Sequence, residues 1–350
     1  MGIEPASMTA VFCHNAADRS AASWHERLAP FTALEFAASD AAGGIASGLD
    51  RVEEQRRSAG ETTPLARGLD LFHTAREARS VLKAAWQQAD AAWAKAEAAD
   101  ARVASSKRQG LDARGAAKAA AAAWRRAVGA LEGVETQESA WRRARAALDL
   151  FDAEGRLNDR ARATAEIAAA LACLRGAEWK AVRNFLSDPR STAFLGRMHE
   201  QLAEAEPRPE WREAMAWRWW GRHRRPGRSA DPRIELIRAM AWGRRLGQAE
   251  QGSYARVSAV LRGTVRASSA VECMNSVLRM QQATHKRMTQ AMLDLKRLYW
   301  NCHRLKAGKR KDACPYEHLG LPLPSFEFWE LLQADPGRLT QELSGQVDAR

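Results

Sequence analysis

The chain has 350 residues, enough for two or three domains and a sizeable core. Its 54 Lys and Arg against 42 Asp and Glu leave a formal charge of +12 and a pI near 9.9, which points to a polyanionic partner such as nucleic acid or an anionic membrane surface. No run of about 18 apolar residues exists and no basic-then-apolar N-terminal segment is present, so a spanning helix and a signal peptide are unsupported and a cytoplasmic protein is expected.

Residues 1–75 read as alternating β and α. The stretch SMTAVFCH is strand-like, AASWHERLAPF helical, ALEFAAS a short apolar run, and GGIASGLDRVEEQRR a helix opened by glycines. A further short apolar run, GLDLFH, follows the Gly60–Pro64 turn, and elements this short argue for an α/β layer. From Ala75 to Ala177 the composition turns to Ala, Arg, Glu and Leu without a proline, which predicts long antiparallel helices. Residues 205–267 hold 14 Arg and 6 acids, including the Trp and Arg cluster EWREAMAWRWWGRHRRPGR. Two readings of that cluster stand: arginines on phosphates with Trp219 and Trp220 stacking on bases, or tryptophans in a core beneath a solvated arginine face.

Near the C-terminal end, SSAVECMNSVLR places Glu272, Asn275, Ser276 and Arg279 on one polar helix face and Val271, Met274 and Leu278 on another. Ser269 and Glu272 also have the spacing of a capping box. In MTQAMLDLKRLYWNCHRL, Met288, Met292, Leu295, Tyr299 and Cys302 fall at helical spacing and predict the core-facing side of an amphipathic helix. The basic run Lys286–Lys311 suits a DNA track or an exposed surface, and the last twenty residues read as a surface tail. Five cysteines lie scattered with no CxxC pair, so free thiols are expected.

Two more acids draw notice. Asp40 stands where a short strand ends and a glycine-opened helix begins, the position of a functional carboxylate in an α/β sheet and equally of a helix cap. Asp70 and His73 follow the next strand-like run at a spacing of three.

Together these stretches resemble the DDE transposases of the ribonuclease-H-like superfamily, and look like a bacterial insertion-sequence enzyme with an α-helical insertion domain. The resemblance rests on Ser39-Asp40-Ala41-Ala42-Gly43 for the second acid and on Asp70-Leu71-Phe72-His73 for the Asp-x-x-His signature. It rests further on Val271-Glu272 with Asn275-Ser276 and Leu278-Arg279 for the third acid, and on the loop Gly308-Lys309-Arg310 followed by Pro315, Glu317 and Leu319-Gly320.

The resemblance implies a ribonuclease-H-like core of three strands, a helix, a strand, a helix, a strand and a final helix. Residues 1–75 and 263–325 would form it, 76–262 the helical insertion and 326–350 a tail. It implies metal-dependent cleavage and joining of DNA strands by two Mg2+ or Mn2+ ions about 4 Å apart. Asp40 and Glu272 would be metal ligands with His73 in support, while Asn275, Arg279, Lys309 and Arg310 would contact DNA. Counting back from Asp40, SMTAVFCH takes the place of the third or second strand, which leaves no first strand with its aspartate; Asp18 is the nearest candidate and reads as a cap. The expectation is therefore a truncated or split, nucleoid-associated transposase, inactive alone, partnered by DNA and an upstream-encoded segment, with homo-oligomers open. The rival expectation is a noncatalytic, helix-rich DNA-binding protein whose Ala-rich region makes the contacts.

Overall fold

The computed structural model describes residues 1–40, 42–61, 65–223, 231–266, 269–284, 288–307 and 310–347, the side chains of 269, 281–284, 342 and 345–347 excepted. Helices dominate it and the sheets are small. In chain order it runs β1 (Gly2–Glu4), β2 (Thr9–Phe12), α1 (Ala21–Leu28), β3 (Phe36–Ser39), α2 (Gly43–Ser58), β4 (Ala66–Leu69), α3 (Leu71–Arg108) and α4 (Arg114–Ala147). There follow α5 (Arg160–Leu171), α6 (Lys180–Ser187), a 3-10 turn (Pro189–Thr192), α7 (Ala193–Ala205), α8 (Pro209–His223), α9 (Pro232–Gly243) and α10 (Gln248–Gly263). The last elements are α11 (Ser269–Thr284), α12 (Gln290–Cys302), α13 (Pro315–Leu319), α14 (Phe328–Gln333) and α15 (Pro336–Val347). The chain divides into two compact units, Met1–Leu65 with Val265–Arg350, and Ala66–Thr264.

In the first unit β1 and β2 form an antiparallel hairpin whose turn is held by the Glu4 carboxylate, which accepts from the backbone N–H of Ala6 and of Ser7, each at 2.7 Å. Ala10 and Cys13 of this hairpin pack with Met274 and Leu278 of α11 and Leu293 of α12. The α12 face turned to β2 is more polar than apolar periodicity predicts. Asn301, fully buried, accepts from the Ala10 N–H at 2.8 Å and donates to the Ala10 carbonyl at 3.1 Å, so one side chain satisfies both backbone groups of a strand residue. Trp300 donates to the Met8 carbonyl at 2.9 Å and Gln290 to the Cys13 carbonyl at 3.0 Å. The expected core stripe holds at Cys302, which is buried, and at Met288, which packs on the hairpin core, but is corrected at Leu295 and Tyr299, 42% and 50% exposed, because the helix turns its hydrogen-bonding side to the strand. Asn301→Leu, which strands both Ala10 groups in a buried site, is expected to cost the first unit about 2 to 4 kcal/mol, read as an earlier urea transition of the hairpin's near-ultraviolet signal.

A second small core joins Leu28, Leu49, Val52 and Leu65 beneath α1 and α2. These helices approach closely because a Cβ on Gly44 would stand 1.9 Å from the Arg19 carbonyl oxygen. Two further expectations are corrected. The tail of the chain is helical in α14 and α15, with Leu331 buried, and the run GLDLFH is a strand only as far as Leu69, since Leu71 opens α3.

The second unit carries the predicted long helices. Trp86 of α3 donates to Glu138 of α4, and Trp93 meets Trp124 edge to face, a pairing that runs in opposite chain directions and makes α3 and α4 an antiparallel arm. At 1.5 Å per residue the 38 residues of α3 extend about 57 Å. The buried seam of the arm is largely alanine, Ala89, Ala96, Ala120 and Ala127, which lets the two backbones lie close. At the root of the arm the main core gathers Leu148, Leu174, Trp179, Leu195, Met198 and Leu202. Fully buried Glu206 is paired with Arg208 and Arg256, each at 2.7 Å, and Arg208 holds its carboxyl down to about 2.

Candidate functional site

Asp40 follows directly on β3 and is exposed; its carboxylate accepts from the Ala42 N–H at 3.3 Å as the chain turns into α2. Strand geometry delivers this acid to the end of β3, and the turn spends one lone pair of its carboxylate, which leaves oxygen free for further partners.

Glu272 lies in the first turn of α11. The periodicity of the helix turns Met274 and Leu278 into the hairpin core and so sets Glu272, Asn275 and Arg279 on another side. There Asn275 donates to the Glu272 carboxylate at 3.4 Å, and the Arg279 guanidinium stands 3.6 Å from it. Of the four residues predicted to share a face, Glu272, Asn275 and Arg279 come together, while the exposed Ser276 hydroxyl donates to the Cys273 carbonyl at 2.7 Å. Ser269, the other half of the predicted capping box, has its side chain outside the described residues. Arg279 neutralises Glu272 in this arrangement, and an incoming phosphate would compete for that guanidinium.

Asp70 and His73 are neighbours as their spacing predicts, but as the opening of a helix. The buried Asp70 caps α3 by accepting from the Phe72 N–H at 2.9 Å, and His73 Nε2 lies 3.4 Å from its other oxygen. Asp18 behaves likewise. It accepts from the Ser23 hydroxyl at 2.6 Å and the Ser20 N–H at 2.9 Å before α1, and the Ser23 bond holds its carboxyl below the usual range.

The residues expected to touch DNA divide by position. Arg310 donates to the Ala6 carbonyl at 2.6 Å and to that of Pro5, so it ties the loop after α12 to the hairpin turn. Lys309 lies outside the described residues. Trp220 is only 7% exposed and packs over Gly155, where a Cβ would meet its ring at 2.5 Å. Trp219 stacks between Phe151 at 5.7 Å and His223 at 4.2 Å. Both indoles fill core space, which leaves little ring surface for a base.

Composition did not single out the outer half of the α3–α4 arm. Lys107, Arg108, Arg114 and Lys118 surround its tip, with Lys95, Arg102, Arg125 and Arg126 behind them, all exposed. The acids in the same span are engaged: Glu97 accepts from Trp93, Asp100 from Trp124, and Asp112 from the Arg114 N–H. The signal was present as an excess of cations over acids between Lys95 and Arg126, hidden because α3 and α4 carry acids nearer the root.

Among the described residues, no group of three or more His, Cys, Asp or Glu is arranged to hold a metal ion, and no helix is long and apolar enough to cross a membrane. No protein-family profile, curated protein or solved structure matches the chain.

Proposed function

We propose that this chain is a part of a DDE-type transposase that supplies two of the three acids of a strand-transfer site, Asp40 and Glu272. The observation that carries the reading is the order of elements: two strands, a helix, a strand followed at once by Asp40, a helix, a strand, a long helical block, then a helix with Glu272 in its first turn. That is the order expected of a ribonuclease-H-like core interrupted before its last helix, counted from its second strand.

Carboxylate oxygens are the donors that Mg2+ and Mn2+ take; Asp40 is exposed, and Glu272 is half-buried with its carboxylate held by Asn275 and Arg279. Two such ions would activate the attacking oxygen and stabilise the leaving one. The chain's own part is to hold the strand. Arg279 would leave Glu272 for a DNA phosphate, Asn275 would keep the Glu272 carboxylate oriented, and the exposed cations of the α3–α4 arm would anchor flanking duplex without reading its sequence.

The second reading is a noncatalytic DNA-binding protein. It draws on the same arm and on the capping roles of Asp18 and Asp70. A supercoiled-plasmid assay with magnesium or manganese separates the two. The chain alone is expected to leave the plasmid intact, and a segment bearing the third acid should restore nicking that Glu272→Gln abolishes. Metal-dependent nicking that Glu272→Gln left unchanged would refute the transposase reading, and nicking by the chain alone would move attention to Asp18.

A further inference from the structure

The second unit contains a half-open cleft of about 670 Å³ between α8, the end of α9, α7 and the loop before α5. That volume lies inside the range of sites for small organic ligands. We propose that it binds a nucleotide, with the phosphate on Arg212 and Arg218 and the base against the Trp217 indole. This site belongs to the second unit, Asp40 and Glu272 to the first, and it does not depend on the strand-transfer reading.

The charge balance of the lining selects an anion. Four arginines face two acids, Asp159 and Glu213. Arg156 is committed to Asp152 and Glu154, and Arg244 to Glu250. Arg212 and Arg218 make no ion pair among the described residues, although the Glu250 carboxylate acts on Arg218 through its charge. Arg218 is buried and fixed, donating to the carbonyls of Ala241 and, at 2.9 Å, of Arg244, with its guanidinium 4.6 Å from the Trp242 ring centre. This buried guanidinium is held by carbonyl dipoles and a ring face, with the Glu250 carboxylate acting on it through its charge, and it stands beside the cleft. Arg212, half-buried, has all its side-chain donors to give, and a planar fork of this kind suits phosphate. Asp159 and Glu213 keep their charges but make no ion pair with either arginine among the described residues. Asp159 spends an oxygen capping α5 at the Arg162 N–H, 2.8 Å away, and Glu213 is an exposed rim residue.

The rest of the lining selects a flat aromatic. The Trp217 N–H is taken by the Glu154 carbonyl at 3.1 Å, so the indole offers the cleft carbon surface alone. Leu157, Met215 and Leu246 extend that apolar wall. His199 donates from Nε2 to the Asn158 carbonyl at 2.9 Å, which leaves Nδ1 as an acceptor for an exocyclic amine or sugar hydroxyl. Phosphate donors at one side, an indole wall and a lone acceptor are the complement of a nucleotide.

Isothermal titration of the purified chain with deoxyadenosine monophosphate, deoxyadenosine and inorganic phosphate tests this. The monophosphate should saturate below about 1 mM, with each fragment weaker by about tenfold or more. Arg212→Ala should weaken it about tenfold in a chain of unchanged circular dichroism, and Glu213→Gln, an exposed change safe for folding, should strengthen it about twofold. Displacement by a short single-stranded oligonucleotide would mark a nucleic-acid strand as the source, and its failure to displace would mark the free nucleotide. The proposal is overturned by an absence of saturable binding, by phosphate binding as tightly as the monophosphate, or by affinities that neither variant moves.

Discussion

If the chain binds duplex DNA as proposed, raising the salt from about 50 to about 200 mM is expected to weaken its hold by about two orders of magnitude. Eight exposed cations lie on the outer half of the α3–α4 arm, and the three acids among them accept from indole N–H groups and a backbone N–H. Each cation seated on a phosphate releases a condensed counterion, so the logarithm of affinity falls with the logarithm of salt with a slope of about −0.9 per contact. With half of the eight engaged the slope is about −3.6, and a fourfold rise in salt costs about 150-fold. Fluorescence anisotropy with two unrelated duplexes of equal length reads both the slope and the expected lack of sequence preference. Replacing Lys107, Arg108, Arg114 and Lys118 with glutamine should flatten the slope by the number of contacts removed. Tight binding indifferent to salt over this range, or a slope that the fourfold variant leaves unchanged, would contradict it.

Trp179→Ala costs the second unit about 3 to 5 kcal/mol, while Trp179→Phe costs far less. Trp179 is fully buried at the start of α6, within the cluster of Leu148, Leu174, Leu195 and Met198 that roots the arm. Alanine leaves a cavity the size of an indole in a close-packed interior, and the surrounding side chains relax only in part. The Trp179 indole N–H is itself buried without a hydrogen-bond partner among the described residues, so the native residue already carries a desolvation cost of about 1 to 3 kcal/mol. Phenylalanine keeps most of the ring volume and sheds that cost, which is why the two variants should part company. Since whole domains are stable by about 5 to 15 kcal/mol, the alanine variant should unfold at a markedly lower urea concentration. Equal losses in both variants would show that the N–H has a role the packing account omits.

The helices of this protein were legible where one physical cause acts alone. GGIASGLDRVEEQRR matches α2 over Gly43–Ser58, and the proline-free alanine-rich stretch runs as α3 and α4, because intrinsic propensity and arm packing agree. Legibility failed where a helix meets backbone. Periodicity gave α12 an apolar face through Leu295 and Tyr299, while its buried side carries Asn301 and Trp300 bonded to β2, and hydrogen-bonding side chains leave no trace in an apolar pattern. Strand β1 went unread because Gly2–Glu4 is too short and unpatterned to show an alternation; its partner strand defines it. In the candidate site, the shared face of Glu272, Asn275 and Arg279 followed from helical spacing, and the buried state of Trp220 did not, since a tryptophan beside arginines has the same sequence whether it faces a core or a base.

Convergence of Asp40 and Glu272 on one metal site is the central claim, and iron-directed backbone cleavage tests it most directly. Fe2+ added in place of Mg2+, with ascorbate and peroxide, generates hydroxyl radicals that cut the chain beside the bound ion. The account predicts paired cuts near Asp40 and near Glu272 in the DNA-bound protein, suppressed together by excess Mg2+ and lost together in Glu272→Gln. Cuts near only one of the two acids, or near neither, would contradict it.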